Sequence, residues 1–128
     1  MNVVGFGFRR SATIESFKSA ILAANFLPEV DLIAVPSDKS DYTALVSFAE
    51  QKGIKILEIS QELLFQQKTK TKSKYSELYR KVDSVAEAAA LAGAGESSEL
   101  VVARVTSHDR SVTAAIACSH KTHFKENK

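Results

Sequence analysis

The chain has 128 residues, 45% hydrophobic and 25% charged, a balance that suits one globular domain with its own core and excludes a wholly disordered chain. A formal net charge of +2 is too small for a whole-molecule field that captures nucleic acid, and the single cysteine, Cys118, excludes an internal disulfide framework. No apolar run is long enough to span a bilayer, and the opening MNVVGFGFRR lacks the pattern of a secretory signal, so a cytoplasmic protein is expected.

Residues 2–7 read as a short buried strand, since Val3, Val4 and Phe6 are β-branched or aromatic and glycines close the run. A helix is expected from about Thr13, which can cap it. Ile14, Phe17, Ile21 and Ala24 share its apolar face, and Pro28 bars its continuation. Residues 31–35 (DLIAV) form a second strand closed by Pro36. The next helix should begin near residues 38–40, bury Tyr42, Leu45, Val46 and Ala49, and stop at Gly53. Residues 55–59 are a third strand and 61–66 a short helical turn.

The stretch 67–76 is polar, lysine-rich and without periodicity, and reads as a mobile loop inside the domain. Residues 84–91 (SVAEAAAL) form a compact helix with a capping box of Ser84 and Glu87, ended by Gly93 and Gly95. Residues 100–105 and 111–117 are two further strands. The link 106–110 is short enough for a hairpin, which requires an antiparallel pair. Strands that alternate with helices argue for parallel crossovers. The expected architecture is α/β, three layers α/β/α around a mixed, mainly parallel sheet of about five strands. One domain over residues 1–117 is expected, with a polar, flexible tail at 118–128.

Several residue groups could carry chemistry. Gly5 and Gly7, followed by Arg9 and Arg10, would let backbone amides and two guanidinium groups approach an anion; a tight turn with surface arginines fits equally. Arg10 stands where a dinucleotide fingerprint needs its third glycine, so a nicotinamide cofactor is not expected. Asp38 and Lys39, just after the second strand, fall on the rim where open parallel sheets gather ligands, although Asp38 could simply cap a helix. Glu87 already has a structural role in its capping box. Cys118, His120 and His123 match no zinc spacing and read as part of the polar tail, so no metal is expected. Lys68, Lys70, Lys72, Lys74, Arg80 and Lys81 form a basic stretch suited to a solvated loop or to steering a polyanion. Only Tyr75 and Tyr79 offer stacking there, so nucleic acid is not expected as a partner.

Four segments, taken in order, resemble one family. They are GFGFRRSATIES (5–16), DLIAVPSDKSD (31–41), SVAEAAAL (84–91) and SVTAAIA (111–117). Together they are similar to the C-terminal domain family of cobalamin (vitamin B12) biosynthesis named for CobE and CbiG, and most like its stand-alone form. The chain departs from the family pattern at Ser11, at Lys81 and at Arg104, which stands where a lysine is usual.

The resemblance implies a precorrin or corrinoid intermediate as ligand, with other cobalamin-pathway enzymes as possible partners and no cofactor. Such macrocycles are ringed by carboxylates, so the expected contacts are Gly5, Gly7, Arg9, Arg10, Asp38, Lys39 and Arg104. The protein would then bind or hand on an intermediate. Alternatively it would be a hydrolase opening a lactone on a cobalt-precorrin, with Glu87 or Asp38 as acid or base beside Lys39. A further alternative is a basic module that docks on a partner enzyme through residues 68–74.

Overall fold

The computed structural model describes residues 1–67 and 84–119. The elements are β1 (Asn2–Phe8), α1 (Ile14–Ala24), β2 (Leu32–Pro36), α2 (Thr43–Lys52), β3 (Lys55–Ile59), α3 (Gln61–Gln66), α4 (Val85–Ala94), β4 (Ser98–Thr106) and β5 (Val112–Ser119). The strands form one sheet in the order β3-β2-β1-β5-β4. β1 pairs with β2 and β2 with β3 in parallel, whereas β5 runs antiparallel to both β1 and β4. The mixed, mainly parallel sheet and the hairpin are therefore as expected from the sequence.

β1 lies between β2 and β5, and its alternation divides the core. Val4, Phe6 and Phe8 turn to the face covered by α1 and α2, where Phe17, Phe48, Leu45, Ile33 and Ile116 pack against them. Phe6 meets Phe17 edge-on at 5.1 Å between ring centroids, and Phe17 stacks on Phe48 at 5.7 Å. Burying each of these rings contributes about 1.5–3 kcal/mol. Val3 turns to the other face, with Ala34, Ile59 and Leu64, under the alanines of α4.

That second layer explains two glycines. A Cβ on Gly5 would stand 2.2 Å from the Ala86 carbonyl oxygen and 2.4 Å from the Ala90 nitrogen, so α4 rests directly on the strand backbone. Gly93 does the same from the helix side, where a Cβ would meet Ala34 Cβ at 2.9 Å and Val3 Cγ1 at 3.0 Å. Gly93 was expected to end α4. It lies within the helix instead, because its bare backbone is what admits Ala34, and the helix ends at Gly95 with φ 102°. Gly53, with φ 68°, closes α2 as expected.

Two other boundaries differ. The chain after β2 makes a short 3-10 turn, Ser37–Lys39, and α2 begins at Thr43 rather than near Asp38. Asp38 caps no α-helix. Tyr42 stays extended ahead of α2 because its ring and hydroxyl are engaged with the β1–α1 connection. β5 runs through Ser119, which puts Cys118 in a strand paired with Asn2 rather than in a tail. Apart from Gln67, the expected loop 67–76 lies outside the described residues. So do Arg80, Lys81, His120 and His123. No helix among the described residues is long and apolar enough to cross a membrane.

Candidate functional site

The carboxyl ends of β1 and β2 open onto one rim, and the chain arranges polar groups there by ordinary local rules. Thr13 caps α1: its hydroxyl accepts from the Ser16 amide at 3.3 Å, and Ser16 Oγ accepts from the Thr13 amide at 3.0 Å. α4 runs antiparallel to β1, from Gly7 beside Val85 and Ala86 down to Val3 beside Gly93, so its N-terminus faces the same rim. Ser84 Oγ accepts from the Glu87 amide at 3.3 Å. Helix N-termini pointing this way carry positive potential.

The expected site residues are placed as follows. Arg9 and Arg10 are exposed on the connection after β1, and the Arg9 amide donates to the Ser111 carbonyl at 2.9 Å. Lys39 is half-buried. Its ammonium donates to the Phe8 carbonyl at 3.5 Å and lies 5.6 Å from the centroid of the Phe8 ring. A cation over an aromatic face is attracted by the ring quadrupole, so Lys39 is held at the end of β1 rather than left to wander. Asp38 is exposed beside it on the 3-10 turn. Arg9, Arg10, Asp38 and Lys39 thus share one rim.

Gly5 and Gly7 lie below that rim, inside β1. Gly5 is covered by α4. A Cβ on Gly7 would meet Thr113 Oγ1 at 2.9 Å. Packing accounts for glycine at both. Arg104 is separate: it stands on the edge strand β4, with β5 between it and β1, and its amide donates to Glu87 Oε2 at 2.9 Å. Glu87 is fully buried in the first turn of α4.

Two contributors were not foreseen. Tyr42 was expected only as a core residue. Its hydroxyl donates to the Ala12 carbonyl at 2.7 Å and also lies against the Arg10 carbonyl, while its ring packs 5.0 Å from Phe8. It thereby ties the arginine-bearing connection to the start of α2.

The second is Asp109 in the β4–β5 turn. Ser16 donates to its Oδ2 at 2.6 Å, and the Ser107 and Ser111 hydroxyls donate to Oδ1 at 2.7 and 2.8 Å, joined by the Ser111 amide at 3.1 Å. Hydrogen bonds to the ionised form, first from Ser16 and then from Ser107 and Ser111, hold this carboxyl well below the usual carboxylate range. The only trace in the sequence is the spacing Ser107-x-Asp109-x-Ser111, which fits a turn aspartate bonding to nearby residues.

A family model described as cobalamin synthesis G C-terminus matches residues 2–117. Among solved structures, the chain resembles CobE, a protein from the cobalamin (vitamin B12) biosynthetic pathway, with a TM-score of 0.79 and 23% identity over 91% of this chain and 89% of that one. That likeness is one of fold. It also resembles cobalamin biosynthesis protein chiG from Agrobacterium tumefaciens, with a TM-score of 0.72 and 29% identity over 94% of this chain and 99% of that one. The chain matches no curated protein.

Proposed function

The chain belongs to the cobalamin synthesis G C-terminus family, and on that footing we propose that it binds a carboxylate-rich precorrin or corrinoid intermediate at the strand-end rim. One observation carries the reading. Lys39 is fixed over Phe8 at the end of β1, beside the connection that bears Arg9 and Arg10. Guanidinium and ammonium groups form charge-assisted hydrogen bonds with carboxylates, and ligands of open parallel sheets gather beyond the carboxyl ends of the strands. The half-buried rings of Phe8 and Tyr42, packed on each other beside the rim, add apolar surface of the kind a macrocycle would rest on.

The hydrolytic alternative draws on Glu87 or Asp38. Glu87 is fully buried and gives one carboxylate oxygen to the Arg104 amide, so binding has the stronger support. The test is an absorbance titration with cobyrinic acid, a corrinoid that keeps its carboxylates free. An Arg9→Ala, Lys39→Ala double variant should weaken binding about tenfold or more, as expected for the loss of two charged contacts. An unchanged affinity in that variant would remove the rim from consideration.

A further inference from the structure

The β4–β5 turn adds a second set of constraints to this rim. The Arg110 amide donates to the Ser107 carbonyl at 3.0 Å, and the Ser107 amide donates to the Val112 carbonyl at 2.8 Å. Arg110 has φ 66°, in the left-handed region. Glycine or asparagine reaches that region at little cost, whereas arginine meets the Cβ penalty. A residue kept in such a conformation points toward a use for its side chain.

The β1–β5 register shows where that side chain starts. Phe8 pairs with Val112, and the Arg9 amide donates to the Ser111 carbonyl, so Arg110 stands one residue beyond the last bond that joins the two strands, next to the connection bearing Arg9 and Arg10. Arg9, Arg10 and Arg110 are all exposed. Lys39 follows β2 and Arg110 precedes β5, so the two flank β1 with neighbouring strands about 4.8 Å apart. Cations spread over that width suit carboxylates ranged around one ring better than a single carboxylate. The acidic groups nearby include Asp38 and Asp41, both exposed, Glu58, which accepts from the Ser40 hydroxyl at 2.9 Å, and Asp109, whose oxygens are taken up by serine donors. Gathering like charges costs folding free energy that a polyanionic ligand offsets.

We propose that the β4–β5 turn is part of the anion-binding rim, with Arg110 contacting a carboxylate of the bound macrocycle and Asp109 as the positioning residue that holds the turn, and Arg110 with it, beside the connection that bears Arg9 and Arg10. This rests on the binding reading of the rim. Ser16 belongs to α1 and Ser107 and Ser111 to the turn, so Asp109 pins the turn to the helix that follows Arg9 and Arg10. His108 adds a further pin, its amide donating to Ser19 Oγ at 2.7 Å.

The experiment compares cobyrinic acid with cobinamide, in which ring carboxylates are amidated, by absorbance titration of the full chain. Arg110→Gly relieves the backbone, so this variant should melt no lower than wild type while its Kd for cobyrinic acid rises roughly three- to fivefold, the size of one partly exposed charged contact. Cobinamide binding should not change. Arg110→Lys should keep most of the affinity. Asp109→Asn separates position from charge: losing a negative charge would by itself tighten anion binding, whereas loss of positioning weakens it. The Asp109→Asn, Arg110→Gly double variant should bind no more weakly than Arg110→Gly alone.

If Arg110→Gly binds cobyrinic acid as tightly as wild type while the Arg9→Ala, Lys39→Ala variant loses it, the turn lies outside the site and the binding reading survives. Tighter binding by Asp109→Asn overturns its positioning role. If wild type binds no cobyrinic acid, the binding reading and this inference fail together.

Discussion

The amide of Arg104 donates to the carboxylate of Glu87 at 2.9 Å and so joins a bulged edge strand to the first turn of the helix packed on the sheet. The pairing of β4 with β5 jumps from Val102–Ile116 to Val105–Ala114, so the Arg104 amide falls where the ladder register slips. A buried amide without a partner is costly, and Glu87, itself fully buried, supplies the acceptor.

That relationship predicts different costs for two substitutions. Glu87→Ala leaves the Arg104 amide unsatisfied and opens a cavity, and should destabilise the fold by about 3 kcal/mol. Glu87→Gln keeps an oxygen acceptor and should cost about 1 kcal/mol. Urea denaturation measures both. An enzyme that used Glu87 as acid or base would behave otherwise: Glu87→Gln would abolish turnover of a lactone-bearing macrocycle while leaving the denaturation midpoint near wild type.

The glycines of β1 should respond unequally to alanine. At Gly5 the obstructing atoms are backbone, the Ala86 oxygen and the Ala90 nitrogen, and neither can move without lifting α4. Gly5→Ala should therefore cost about 3 kcal/mol or more and can prevent folding. At Gly7 the nearest atom is the Thr113 hydroxyl, which can rotate away, so Gly7→Ala should cost about 1 kcal/mol. Thermal melts of the pair decide the matter. Equal losses would mean that α4 is not seated on Gly5.

Local pattern made much of this legible in the sequence. β3 at Lys55–Ile59 and α3 at Gln61–Gln66 stand where periodicity and punctuation put them, and Thr13 and Gly53 cap the helices they were expected to cap. The failures share a cause, namely contacts made far along the chain. Tyr42 was read as part of a helix face, but its conformation answers to Arg10 and Ala12, 32 and 30 residues away. Asp109 looked like one more polar turn residue, and its strongest partner, Ser16, lies 93 residues back. The Gly5 and Gly7 pattern was visible, but whether it served an anion or a helix depended on where α4 would lie.

Asp109 should also leave a mark on acid stability. Its serine and amide donors favour the ionised carboxylate in the folded protein, so its folded-state value is depressed below the unfolded one. For a depressed carboxyl, the stabilisation is fully present above the unfolded value, near 4, and is lost as pH falls below it. Wild type should therefore lose melting temperature between about pH 5 and pH 2, and Asp109→Asn should lose less across the same window. The gap between the two proteins should be widest near neutrality and shrink on acidification. A gap that stays constant across that range would show that the carboxylate charge contributes nothing to the knot.

Tyr42→Phe separates the order of the arginine connection from the placement of Lys39. The ring contact with Phe8 survives in this variant, so the surface beneath the Lys39 ammonium is retained. What is lost is the hydroxyl at the Arg10 and Ala12 carbonyls, a loss of about 1 kcal/mol in stability. The connection should then open more often, and the Ala12 amide, which donates to the Arg9 carbonyl at 3.0 Å, should exchange its hydrogen faster than in wild type. Affinity for cobyrinic acid should fall roughly two- to fivefold, because binding must now order a connection that was ordered beforehand. Tyr42→Ala removes the ring as well and should weaken binding further by freeing Lys39. If Tyr42→Phe speeds exchange at Ala12 and leaves affinity untouched, Arg9 and Arg10 do not touch the ligand and Lys39 is the cation that matters.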